Sequence, residues 1–163
     1  MGVGLEIHAE DQEFSIATFQ NALVWCFRGA VTLPRVESAL PIHKQLAQRY
    51  PKGFAVVTII GESVPLSMAP DARDLSTKIT KDFMPHYCGV CEVVLGSGFR
   101  AAAVRSITAG IRLLARSSCP AKVFGDSDSC SRWLGPLMIP QGPSESMLKV
   151  LGQSIDRIGR GWD

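Results

Sequence analysis

Phe54–Gly61, FAVVTIIG, is an unbroken run of seven apolar or β-branched residues closed by a glycine. A strand with one face in water alternates apolar and polar residues, and this run does not, so it reads as a strand covered on both faces. Strands of that kind sit at the centre of sheets flanked by helices, joined by crossover connections. The segments on either side of FAVVTIIG are therefore expected to be helical, with further strands beyond them.

Upstream, Pro34 opens a helical stretch running to Gln48, in which Val36, Leu40, His43, Ala47 and Tyr50 recur at spacings of three and four. Pro41 marks a kink in it and YPKG ends it. Before that helix, Phe14–Thr18 and Ala22–Arg28 are β-rich runs separated by Phe19, Gln20 and Asn21, which is hairpin spacing. Downstream, the proline-punctuated loop ESVPLSMAP leads to a helix capped by Asp71, with Asp74 as a weaker capping-box partner and Leu75, Ile79 and Phe83 as its apolar stripe. Cys91–Leu95 then reads as a short strand. Phe99–Arg116 is a long helix with Val104, Ile107, Ile111 and Leu114 facing inward. After the strand Ala121–Phe124, Asp126 or Ser127 caps a short helix bearing Trp133 and Leu134.

This order predicts an α/β fold: a mixed, mostly parallel four- to five-stranded sheet covered by helices, with a C-terminal helical tail. Residues 1–13 form a polar leader, 14–138 a single domain, and 139–163 a linker and final helix. In that helix, Glu145–Ile158, the side chains of Leu148, Leu151, Ile155 and Ile158 share a face that would dock on the domain or pair two copies as a homodimer.

At 163 residues the chain fits one domain, and its net charge of +2 argues against a surface built to coat nucleic acid. Arg105, Arg112 and Arg116 share a helical face that reads as solvated rather than anion-binding. The start of the chain lacks the pattern of a signal peptide, and no apolar run is long enough to span a membrane. Five cysteines, an odd number in a chain with an adequate core, suggest reduced thiols in a cytoplasmic protein.

Two motifs invite chemistry. Cys88 and Cys91 form a Cys-x-x-Cys pair, but it follows a helix instead of opening one, and no second pair at metal spacing exists, so neither redox work nor metal binding is expected. Gly96-Ser97-Gly98-Phe99-Arg100-Ala101 follows a strand and opens a helix as a dinucleotide turn does. Too little chain remains after it for the second half of such a site, so no cofactor is expected. The glycines read as a tight turn, with Gly98 allowing close packing. A lone phosphate or sulfate could still meet Gly96, Ser97, Gly98 and Arg100 there. Ser97 is the only serine placed like a nucleophile, and His8, His43 and His86 give it no evident base.

The opening hairpin, the buried FAVVTIIG strand, CEVVLGS and the ending AKVFGDSDSCSRWL together resemble the STAS-like proteins, particularly small bacterial members, over about Phe14 to Leu137. The resemblance implies a non-catalytic regulatory module that binds a protein partner, some relatives binding nucleotides or lipids near the strand ends. The phospho-switch motif of the regulated members is missing, since GESVPLSMAPD stands in its place. Ser63, Leu66, Ser67 and Met68 on that loop are the expected partner face, at the carboxyl end of a strand. A small-molecule or lipid carrier with an apolar pocket is the alternative reading, and a hydrolase-like enzyme around Ser97 the third.

Overall fold

The computed structural model describes residues 5–116 and 118–138, with Lys149, Gly152, Gln153 and Asp156 beyond them. Six strands form one sheet in chain order: β1 (Glu6–Glu10), β2 (Phe14–Phe19), β3 (Ala22–Phe27), β4 (Phe54–Ile60), β5 (Tyr87–Val94) and β6 (Ala121–Phe124). β1 to β3 pair antiparallel, and β3 to β6 are parallel. Helices α1 (Leu33–Glu37) and α2 (Leu40–Arg49) connect β3 to β4, α3 (Pro70–Phe83) connects β4 to β5, α4 (Phe99–Leu114) connects β5 to β6, and α5 (Ser127–Leu134) follows.

Parallel strands laid down in strict sequence by right-handed crossovers put every crossover helix on the same face. Side chains from α2 and α4 accordingly pack with Leu23, Phe27, Phe54, Val56 and Ile60, and α1 and α3 meet through Val36, Ala72 and Ile79. The other face is closed by α5, whose Cys130 and Leu134 pack with Met138 on Val24, Ala55, Val57, Ile59 and Val93. β4 thus alternates between two covered faces, as its sequence requires. Thr58 is its one half-buried residue. Each fully buried aliphatic side chain here stabilises by roughly 1.5–3 kcal/mol, which is why both faces must be covered.

The polar leader is a correction: Glu6–Glu10 is an edge strand, pairing Glu6 with Thr18 and Glu10 with Ser15. Its polar sequence is that of an edge in water, where charge discourages pairing with another chain. The turn after it is held by arginines. Arg35 contacts Asp11 at 3.3 Å and Glu13 at 3.1 Å, and Arg28 donates to the carbonyls of Asp11 and Gln12 at 2.9 and 3.1 Å. Among the described residues the sheet therefore has six strands, not four or five.

Other boundaries also move. The first expected helix is two, because Pro34 and Pro41 each occupy the first turn of a separate helix, where a missing N–H costs nothing. Asp71 lies inside the first turn of α3 and binds the Ala72 amide at 2.7 Å, with Ala69 at the cap position. Cys88 lies inside β5, at a register shift opposite Phe54 and Ala55, rather than at a helix end. Asp126 caps α5 by accepting from the Ser129 amide at 2.7 Å. The predicted tail, Glu145–Ile158, lies outside the described residues except for single positions; of these, Gly152 is buried beside Ser131 of α5. Ser127 donates to Asp156. Among the described residues no helix is long and apolar enough to cross a membrane.

The expectation of five thiols is overturned. Cys91 of β5 and Cys130 of α5 are disulfide-bonded, with Cα atoms 6.5 Å apart and a separation of 39 positions in sequence. The bond fastens α5 to the sheet at the face where Gly89 leaves room for Leu134 and Leu137; a Cβ there would lie 3.1 Å from Leu137 Cδ1. Cys26, Cys88 and Cys119 remain thiols. Closing a loop of this length stabilises by about 4 kcal/mol in the chain-entropy account. In denaturant without reductant, three thiols per chain should titrate, rising to five after reduction, and reduction should lower the melting temperature by roughly 10 °C. Five thiols before reduction would disprove the bond.

Candidate functional site

Where the helix layer should seal β3, β4 and β5, the sheet carries polar groups instead. The register aligns Trp25 with Thr58 and Thr58 with Glu92, a row across three adjacent strands on the face under α3 and α4. Trp25 Nε1–H donates to Thr58 Oγ1 at 2.6 Å. Glu92 is 5% exposed, and its Oε2 is buried with no hydrogen-bond partner among the described residues. An unpaired carboxyl oxygen in such a place is costly. Burial pushes the Glu92 carboxyl above the usual range, against the opposing pull of a side-chain hydrogen bond with Thr108 and of the Arg112 charge.

Above this row lies a cavity of about 110 Å³. Its floor is the three strands and its roof is Ser76, Ile79 and Thr80 of α3 with Thr108, Ile111 and Arg112 of α4. The gap follows from the sequence of α4. Its first half anchors through the buried Ala101 and Val104. In the second half Ile107, Thr108, Ile111 and Arg112 are only half-buried, and the Thr108 hydroxyl bonds back to its own helix, at 3.1 Å from the Val104 carbonyl.

His43 closes the end of the cavity near the amino ends of β4 and β5. It is 1% exposed, and its ring lies among Phe54, Phe83 and Tyr87 at centroid distances of 5.1 to 5.9 Å. Nδ1–H donates to the Ala39 carbonyl at 2.8 Å, which leaves Nε2 an acceptor. Burial pushes its pKa down to about 4, so the ring is neutral. The cavity is thus an apolar chamber with a few polar atoms, the usual form of a small-molecule site.

The sequence-selected residues gather at the opposite, carboxyl end of the strands. Ser63, Leu66 and Ser67 are exposed. Met68 instead packs toward Val36 and Ile79 and lines the cavity, and the neighbouring Val64 is buried. Arg100 donates through Nη2 to the Gly61 carbonyl at 2.8 Å and to that of Val64, so it pins the β4–α3 loop. Gly96 and Gly98 adopt φ of +91° and +73°. Nothing lies within 4 Å of a Cβ built on Gly98, so the turn's conformation, not close packing, requires glycine. Ser97 is exposed, while His8 bonds Thr18 at the sheet edge, His43 is interior and His86 is at the far end of β5. The structure joins the two loops but brings no histidine to Ser97. Trp25, Thr58, Glu92 and His43 were not selected from sequence, although a lone carboxylate inside CEVVL was a usable signal.

Comparison with family models, curated proteins and solved structures finds no match to the chain.

The two buried groups give stability opposite pH slopes. Glu92 keeps its proton in the folded chain above the pH where the unfolded chain loses it, so its contribution falls as pH rises from about 4.5 toward the raised value. His43 stays neutral while the unfolded chain protonates, so stability is lost as pH falls from 6.5 toward about 4. Glu92→Gln should raise the melting temperature by roughly 2–4 °C at pH 8 and leave it unchanged at pH 4. Equal shifts at both pH values would show that Glu92 is not held in its neutral form.

Proposed function

We propose that this is a STAS-like binding domain, not a catalyst, whose working site is the cavity between the sheet and α3–α4, and that it takes a small, mostly apolar molecule carrying one hydrogen-bonding group. The observation that carries this reading is Glu92 Oε2, a buried oxygen with no hydrogen-bond partner among the described residues, in a mostly apolar chamber. A ligand hydroxyl or amide reaching it would supply the missing partner, and the Thr58 hydroxyl beside it offers a second contact. The volume of about 110 Å³ suits a single ring or a short alkyl group rather than a whole lipid, since an engineered cavity of about 150 Å³ holds benzene. Support for the STAS-like assignment is the element order, with an opening hairpin and crossover helices on one face. The non-catalytic reading rests on the separation of Ser97 from all three histidines.

A protein-partner face on the β4–α3 loop is the second reading, favoured by the exposure of Ser63, Ser67 and Leu66. Met68 no longer belongs to that face, since it roofs the cavity.

Phenol and benzene test the site by calorimetry. Phenol should bind about tenfold more tightly, the worth of one hydrogen bond to a buried acceptor. Glu92→Leu should erase the difference, and Ile111→Trp, which fills the chamber, should abolish both. Equal binding of phenol and benzene to the wild type, or no binding of either, would overturn the proposal.

A further inference from the structure

α4 is apolar on two sides. Its inner side meets the sheet and the cavity, as a crossover helix must. Its outer side presents Phe99, Ser106 and Leu113 at seven-residue spacing, with Ala102, Ala109 and Leu114 beside them, and no charge among them. Phe99 is 82% exposed, Leu113 79% and Leu114 64%; Leu114 was expected to face inward. Isolated exposed apolar residues are ordinary, but three large ones on one helix face form a surface that solvent does not explain.

Charge indicates what covers it. Between Glu92 and Asp126 the chain has four arginines and one lysine and no acidic residue. Arg100 is used within the fold and Arg112 faces the cavity, while Arg105 is exposed on one flank of the apolar face and Arg116 is exposed just past the helix end. A second copy fits poorly, because pairing α4 with itself would crowd these arginines with no carboxylate on the helix to offset them. Of the residues after Met138, the described Gly152 and Asp156 lie against α5, which closes the other face of the sheet, away from α4. An exposed aromatic and leucines flanked by arginines is the pattern of a helix lying in a membrane interface.

We propose that the outer face of α4 docks the protein on an anionic lipid bilayer, with Phe99, Leu113 and Leu114 entering the headgroup boundary and Arg105 and Arg116 on lipid phosphates. This does not depend on the cavity's ligand. It places the cavity roof at the bilayer surface, because the same helix forms both.

Co-sedimentation of the full chain with phosphatidylcholine vesicles, with and without about one-third phosphatidylglycerol, tests it. The protein should pellet with the anionic vesicles only, and 0.5 M salt should release it. The double variant Arg105→Gln/Arg116→Gln should weaken partitioning roughly thirtyfold, about five- to sixfold per arginine. Leu113→Ser/Leu114→Ser should abolish it with the melting temperature kept. Wild type remaining in the supernatant would overturn the proposal. So would equal binding to neutral vesicles, capture by an acidic protein with vesicles ignored, or a dimer in light scattering that the leucine variant dissolves.

Discussion

β4 has no face to give to water, and the rest of the molecule is arranged to satisfy that. Ala55, Val57 and Ile59 point one way and Phe54, Val56 and Ile60 the other, all nearly inaccessible. Parallel neighbours can be reached only through crossovers, and crossovers in strict sequence cover only one face. The second face needs a separate cover, which α5 and the turn after it provide, fastened by the Cys91–Cys130 disulfide. Asn21 adds a polar tie from the β2–β3 turn, donating to the carbonyls of Gly53 and Met138 at 3.2 and 3.1 Å.

Against that background the cavity is the place where cover is withheld. Thr58 breaks the apolar run of β4 at the point where the register brings Trp25 and Glu92 to either side of it. Filling the chamber with aliphatic side chains would be the more stable arrangement, since an unpaired carboxyl oxygen and a void both cost stability. Local departures of this kind are where function is expected in a sequence otherwise consistent with its fold. Arg112 on α4 acts on Glu92 through its charge, so a change in the seating of α4 would alter the environment of the carboxyl. The proposed membrane face and the proposed ligand site thus share one helix.

Much of the architecture was legible because it rests on local periodicity. The hairpin, the central strand, the stripe Leu75, Ile79 and Phe83, the cap at Asp126 and the strand Ala121–Phe124 are each set by neighbours within a few residues. The leader was misread for a physical reason: an edge strand pairs through its backbone, so its side chains can be as polar as a loop's. Pro41 reads as a kink from sequence because a helix break at Ser38 and Ala39, just before it, leaves the same pattern.

The amino-acid sequence by itself determined the fold class, the double burial of β4 and the basic, acid-free character of α4, since each is a property of composition or of near neighbours. Tertiary structure alone decided which cysteines join, across 39 residues. It also decided that Trp25, Thr58 and Glu92 stand in one row, and that His43 closes a chamber rather than a surface. Register between strands and the height of a helix above a sheet arise from packing over long sequence separations. A short window of sequence carries neither.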